Sequence, residues 1–347
     1  MAAASELQLS DPRWTAFVAA HPSALAFHRP TWAEMIADCY GYRPFVLAAL
    51  DATGDVRAGL PVLEVRSLRR RRRWVALPFT DECPPLLGPA ADGAAFIAAL
   101  NSVRRDAAID AFEVRAPLPA SAGVHARSDA VTHTTALSVE PADVFAGFHR
   151  SQVQRNVRRA EREGKLTLRR GEQARDLTRT FYGLHVQTRR RLGMPVQPRR
   201  FFEALWSHVV ARGHGYVLLA ETAEGTPAAG AVFLEGTRTL TYKYGASDAA
   251  FWGLRPNHLL FWNALRAACE DGYENFDWGR TDLDDQGLRS FKSGWAAVET
   301  RLVYTTLAAG APELGSRHAP AAARAVLRRS PAFACRLAGE LLYRHAV

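Results

Sequence analysis

Thr239-Leu-Thr-Tyr-Lys-Tyr-Gly245, then Pro256-Asn-His-Leu-Leu-Phe-Trp-Asn-Ala-Leu-Arg-Ala-Ala-Cys-Glu-Asp271, then Asn275-Phe-Asp-Trp278 reads as strand, helix, strand. The first piece is rich in β-branched and aromatic residues. The second opens with proline at a first helical position and repeats its apolar residues at helical spacing, so it is a crossover helix between two strands. Upstream lie strands at Tyr216–Glu221 and Ala229–Glu235, joined by the turn Thr222-Ala-Glu-Gly-Thr-Pro227, and helices over 142–163, 174–191 and 199–212. A strand at Arg301–Leu307 closes this half.

The first half runs in the same order. Asp11-Pro12 starts a helix to about Ala20, with a capping carboxylate followed by proline, and Thr31–Tyr40 forms a second. Strands follow at Phe45–Leu50, Val56–Val65 and Trp74–Leu77, then a helix at Ala94–Val103 and strands at Asp110–Arg115 and Val131–Val139. One α/β unit therefore occurs twice. The pattern predicts two mixed α/β domains, 1–141 and 142–309, and a basic tail over 310–347 made of two helices broken at Ser330-Pro331.

The length of 347 residues suits two domains, and 48% hydrophobic with 23% charged residues excludes a disordered or fibrous chain. No apolar run reaches bilayer length, and the start, Met1-Ala-Ala-Ala-Ser-Glu-Leu7, lacks a basic and apolar leader, so the reading is cytoplasmic. Cys39, Cys83, Cys269 and Cys335 are scattered without metal-ligand spacing, which predicts free thiols and no metal. There is no Gly-x-Ser-x-Gly elbow, dinucleotide fingerprint or Walker loop, so hydrolase, hydride-transfer and nucleotidase chemistry find no support.

Charge is concentrated. The chain carries 44 Lys and Arg against 35 Asp and Glu, a net +9. Residues 150–200 alone hold fifteen basic residues against Glu161, Glu163, Glu172 and Asp176. Arg155, Arg158, Arg159 and Arg162 share one helix face, and Arg69–Arg73 form a second cluster expected at a hairpin tip. Such patches attract phosphates, although a merely solubilising face has the same composition.

Ser151-Gln-Val-Gln-Arg-Asn-Val-Arg-Arg-Ala-Glu-Arg-Glu-Gly164, Tyr242-Lys-Tyr-Gly-Ala246, Leu254-Arg-Pro-Asn-His-Leu-Leu-Phe-Trp262, Phe276-Asp-Trp-Gly-Arg280 and Gly287-Leu-Arg-Ser-Phe-Lys-Ser-Gly294, in that order, resemble the Fem-type branch of the GNAT acyltransferase superfamily and its acetyltransferase relatives. His28-Arg-Pro-Thr-Trp32 and Leu77-Pro-Phe-Thr-Asp81 resemble the first domain of the same group. The resemblance covers most of 25–310. It implies tandem GNAT-like domains, each a mostly antiparallel sheet flanked by helices, and a transferase moving an acyl or aminoacyl group onto an amine. That branch includes the enzymes that build peptidoglycan interpeptide bridges. The first domain would help form the acceptor cleft, and the tail would fold back on the first domain.

The resemblance assigns a role to Lys292, and the chemistry and position of the other residues suggest theirs. Lys292, after Phe291, falls at the reaction centre, where an ammonium would stabilise charge developing on the attacked carbonyl. Asp277 would orient the acceptor amine or take its proton, unless it only pairs with Arg280. Arg255 and Asn257, at the start of the 256–271 helix, would hold a donor phosphate with Arg155, Arg158 and Arg159, unless this is a plain helix cap, and Phe291 would pack the donor or simply the core. Arg280, Tyr242, Tyr244 and Arg189 would line the acceptor pocket; for the two tyrosines and Arg189, packing is the blander alternative. The Arg/Gln-x-x-Gly-x-Gly/Ala loop that holds CoA pyrophosphate in ordinary GNAT enzymes is absent, which leaves acyl-CoA, acyl-carrier protein or aminoacyl-tRNA as donor, with no bound cofactor. Expected partners are a small-molecule or cell-wall-precursor amine, tRNA or a carrier protein, and a peripheral membrane contact, but no DNA. A different class, a non-catalytic RNA- or anionic-membrane-binding protein on a degenerate GNAT fold, fits the same basic patches.

Overall fold

The structure is a computed structural model that describes residues 4–66, 71–310 and 321–343. Arg69 and Arg70 of the arginine run lie outside the described residues. The chain forms two compact units, 1–132 with 301–315, and 133–300 with 316–346. These limits differ from the boundaries expected at 141 and 309, because two long strands belong in part to each unit.

In chain order the first unit supplies β1 (Ala4–Leu7), α1 (Pro12–Ala20), α2 (Pro30–Tyr40), β2 (Arg43–Leu50), β3 (Val56–Arg66), β4 (Arg72–Val75), β5 (Leu86–Leu87), α3 (Gly93–Asp106), β6 (Ala111–Val114) and the start of β7 (Val124–Ala136). The second has α4 (Pro141–Gly147), α5 (Arg155–Glu163), β8 (Leu166–Arg170), α6 (Tyr182–Leu192), α7 (Arg199–Leu205), β9 (Gly215–Thr222), β10 (Pro227–Glu235), β11 (Thr239–Ser247), α8 (Pro256–Glu270), β12 (Asn275–Asp277), β13 (Thr281–Asp282) and α9 (Gln286–Ser293). The chain then runs through β14 (Val298–Ala308) to α10 (Ala321–Arg329) and α11 (Ala332–Leu342).

Both units repeat one topology. In the first, β1 to β4 form an antiparallel meander, α3 crosses over, β6 pairs parallel to β4, and β14 pairs antiparallel to β6. In the second, β8 to β11 form the meander, α8 crosses over, β12 pairs parallel to β11, and β7 pairs antiparallel to β12. A parallel neighbour requires a long connection, and the crossover helix supplies it. This bears out the mixed α/β reading with a mostly antiparallel sheet in each unit.

Local chemistry explains the helix limits. Asp11 accepts from the Arg13 amide at 2.9 Å, and Asp92 caps α3 through the Ala95 amide at 3.1 Å. The helix expected over 142–163 is broken at Phe148 and His149: α4 ends there, and a π-helical turn at Arg150–Gln154, capped by His149, leads into α5. Five elements escape the sequence reading. Strands β5 and β13 have two residues each, β1 and β8 are short and at least half-exposed, and α9 is an eight-residue helix too short to show periodicity.

The core of the second unit lies between its sheet and α8. Phe233, Phe276, Trp278, Phe261 and Trp295 pack there with ring centroids 4.7–6.0 Å apart. The Thr135 hydroxyl ties two of these residues together, accepting from the Trp278 ring Nε1 at 2.9 Å and donating to the Trp295 main-chain carbonyl at 3.0 Å.

The tail corrects one expectation. It packs on α6 of the second unit, not on the first. Gly339 lies directly on the Val196 backbone, and Gly193, at φ +68°, lies on the Arg324 carbonyl. Arg189 donates to Pro195 O at 3.0 Å and to the Tyr343 hydroxyl at 2.8 Å, and Arg200 pairs with Glu340. A Cβ at Gly339 would fall inside van der Waals contact with the Val196 carbonyl oxygen. Gly339→Ala is therefore expected to cost the tail about 1–3 kcal/mol of docking energy. Limited proteolysis should then cut between residues 310 and 343 faster than in the wild type while the rest of the second unit stays resistant.

Candidate functional site

Strands β11 and β12 are paired only over Thr239–Thr241 and Asn275–Asp277. Beyond that point β11 continues to Ser247 paired with β10 while β12 ends, so β11 and β12 part. The connection from β11 is a 3-10 turn, Ala249–Leu254, capped by Asp248. It ends in Arg255, held at φ +58°, from which α8 begins at Pro256.

This left-handed backbone is costly for a long side chain, and two hydrogen bonds pin it. Arg255 donates through Nε to Asn156 Oδ1 on α5 at 3.0 Å, and through Nη1 to the Trp252 carbonyl at 2.9 Å. The first turn of α8 is thereby tied to α5. His258 adds a second tie, with Nε2 at 3.0 Å from the Gln152 carbonyl and its ring stacked on Trp295. Burial holds the His258 pKa down at about 4, so the ring is neutral at pH 7 and donates to that carbonyl. Asn257 is half-buried in the same turn.

The basic stripe is where the sequence places it. Val153, Val157 and Ala160 face the core, and Arg155, Arg158, Arg159 and Arg162 are exposed on the other side. Arg158 lies over the Phe145 ring at 5.2 Å, and Arg159 pairs with Glu163 at 2.7 Å. Through the Arg255–Asn156 bond this stripe adjoins the α8 N-terminus. Helix dipole and guanidinium groups there favour an anion.

At the other side of the opening the chain turns at Gly279, φ +67°, in Asp277-Trp-Gly-Arg280. Two predicted residues meet at this turn. Asp277, 4% exposed, accepts from the Gly279 amide at 2.9 Å, and Lys292, 2% exposed on α9, donates from Nζ to the Gly279 carbonyl at 2.7 Å and the Arg280 carbonyl at 3.4 Å. A carboxylate and an ammonium thus clasp one glycine from its two ends. Arg280 pairs with Asp282 at 2.7 Å. Phe291 packs at ring distances of 5.7–6.4 Å among His258, Phe261, Trp278 and Trp295, as the core-packing alternative has it.

Sequence reasoning missed His133. Fully buried on β7, it has Nε2 3.2 Å from Glu299 Oε2, and Arg289 grips that carboxylate through two hydrogen bonds at 2.8 Å. Burial first, and then the nearby Lys292 charge, push the His133 pKa down. Nothing in the Val131–Val139 pattern marks it, because its surroundings come from 160 residues downstream.

The tyrosines separate. Register shifts between Val232 and Phe233, whose partners are Tyr244 and Tyr242, which leaves Lys243 as the extra residue of a β-bulge. Alternation flips there. Tyr242 packs on Phe261 at 4.8 Å on the α8 side, and Tyr244 packs on His185, Phe201 and Phe202 on the other. The two rings do not line one wall. Burial pushes the Tyr242 phenol pKa up, so it stays protonated. Arg189 is engaged in the α6–tail joint described above. An open cavity of about 870 Å³, bordered by Arg169, Arg175, Asp176, Arg179, Glu221 and Asp248, includes none of the predicted site residues.

Residues 147–292 match the family model described as an acetyltransferase (GNAT) domain. The chain carries a GNAT domain. The strand-and-helix opening and the Lys292 turn both fall within it. No curated protein matches the sequence. Among solved structures the chain is similar to FemX, at 16% identity and TM-score 0.72 over 87% of this chain and 96% of that one. It is similar to L-PGS from Bacillus licheniformis, at 14% identity and TM-score 0.56 over 88% and 94%. A tandem GNAT protein from the clavulanic acid biosynthesis pathway aligns at 15% identity and TM-score 0.51 over 90% and 100%. The likenesses establish the fold, and the expected tandem arrangement is present. Among the described residues no group of side chains is arranged to hold a metal, and no helix is long and apolar enough to cross a membrane.

Proposed function

We propose that this protein is a GNAT-type N-acyltransferase that moves an acyl or aminoacyl group from an activated donor, a thioester or an aminoacyl-tRNA, to an amine by direct attack. The observation that carries the reading is the parting of β11 and β12 beneath the α8 N-terminus, with the Asp277–Gly279–Lys292 turn at its edge.

In this mechanism the acceptor nitrogen attacks the donor carbonyl carbon, and a C–N bond replaces a C–S or C–O bond. The thiolate or alkoxide leaves, and the amine proton goes to it or to solvent. Lys292 stabilises the negative charge that develops on oxygen, an effect of about 3 kcal/mol for one well-placed donor. Asp277 orients the amine, and Arg280 lines the acceptor side. Arg255, Asn257 and the arginines of α5 hold the donor's phosphates, whether of a nucleotide, a carrier's prosthetic arm or an RNA strand. No covalent enzyme intermediate is required, and holding both reactants in one opening supplies much of the rate. The 3-10 turn at Ala249–Leu254 stands before α8, and the sequence has no glycine-rich pyrophosphate loop, which supports a donor other than free acyl-CoA.

The donor is tested directly. Purified protein is mixed with host lysate, ATP and labelled amino acids, with and without RNase, and in parallel with acyl thioesters. Protein-dependent product lost on RNase treatment assigns aminoacyl-tRNA, and product that survives assigns a thioester. No product in any arm overturns the enzyme reading.

A further inference from the structure

The outer face of α11 has no use in the site just described. Cys335 and Gly339 face inward, onto the Val196 segment and α10. Phe333, Leu337 and Leu341, four residues apart, lie on the opposite side of the helix and are 66%, 60% and 65% exposed. Val326 of α10 and Leu342 add 64% and 54% exposed apolar side chains. A soluble surface seldom leaves five large apolar side chains on two adjoining helices in water. The same two helices carry Arg328, Arg329 and Arg336, all exposed, with the Arg328 stem lying against Gly193. The single acid of this stretch, Glu340, is already paired with Arg200.

We propose that the Phe333–Leu337–Leu341 ridge and its arginines dock the protein on an anionic membrane surface, with α11 lying in the plane of the interface. The charge selects this occupant. A second copy would bring arginines against arginines on a chain of net charge +9, whereas acidic headgroups complement them. Apolar side chains on one face with arginines at the margin are what an interfacial helix needs, and either signal alone binds weakly. Neither tail helix is long or apolar enough to cross a bilayer, so the contact is peripheral.

The test is flotation of the full-length protein with vesicles of phosphatidylcholine, and of phosphatidylcholine with about one-third phosphatidylglycerol. Binding is expected only to the anionic vesicles, and it should weaken as salt is raised. Phe333→Glu with Leu337→Glu should lower the bound fraction at least about tenfold. Arg328→Gln, Arg329→Gln and Arg336→Gln together should do the same. Circular dichroism and gel filtration check that each variant is folded, and Leu337→Gln alone serves if the double variant is not. The proposal is overturned if the wild type ignores anionic vesicles or the folded ridge variant still floats. It is also overturned if the wild type is a dimer that ridge substitution makes monomeric without changing vesicle binding.

Discussion

Lys292→Met loses transfer activity by about a hundredfold and keeps the fold. In the proposed mechanism the side chain does two jobs whose effects separate. Its Nζ neutralises two carbonyl oxygens of a buried turn, and removing those hydrogen bonds costs about 1–3 kcal/mol of stability. Methionine keeps the volume, so little cavity cost is added. A loss of that size lowers the melting temperature by several degrees but leaves the protein folded at 25 °C. Rate should fall far more than the folded fraction, because in the proposed mechanism the ammonium also faces charge that exists only in the transition state. A variant that transfers at the wild-type rate would remove Lys292 from the mechanism. One that loses activity only in proportion to its unfolded fraction would make the lysine a clasp for Gly279 and nothing more.

The second large effect is acid destabilisation, carried by buried histidines in both units, His28 in the first and His185 in the second, with His258 and His133 adding to the second. His28 accepts from the Leu25 amide through Nδ1 at 2.9 Å and donates through Nε2 to the Pro84 carbonyl at 2.8 Å, and burial lowers its pKa from 6.5 to about 4. His185 lies among Phe181, Phe202 and Tyr244 with Nε2 2.7 Å from Gln197 Oε1, and burial together with the Arg189 charge lowers its pKa to about 3. In both, the folded pKa lies below the unfolded one, so the unfolded chain binds the extra proton. Stability is fully present above about pH 6.5 and falls as pH drops toward 4. Each of His28 and His185 should cost its unit roughly 3 kcal/mol over that span, at about 1.4 kcal/mol per pH unit. Melting curves between pH 7.5 and about 4.5 check the slope. His185→Phe should flatten it by about one proton for the second unit. A melting temperature that stays level down to about pH 4.5 would sink the account.

What the sequence determined by itself is local. The strand–helix–strand passage at 239–278 was legible because hydrophobic period and proline placement are properties of neighbouring residues. The duplicated element order, the arginine stripe on one face of α5, the helix start at Pro256 and the break at Ser330-Pro331 were legible on the same ground. The motif order also brought Lys292 and Asp277 forward as candidates, and both fall at one turn.

The tertiary structure alone decided what depends on partners far away in the chain. A β-bulge at Lys243 has no composition signal, since it arises from the mismatch with β10, and it sends Tyr242 and Tyr244 to opposite faces. Burial of Lys292 requires α9 to settle on the Gly279 turn, and the surroundings of His133 require β14 to return beside β7. The tail's place was set by two glycines, Gly193 and Gly339, small enough to admit backbone against backbone on α6. A pattern of apolar residues states which face of a helix is buried. Which surface it meets follows only from shape, because burial of apolar area is non-directional and fits any surface of the right contour.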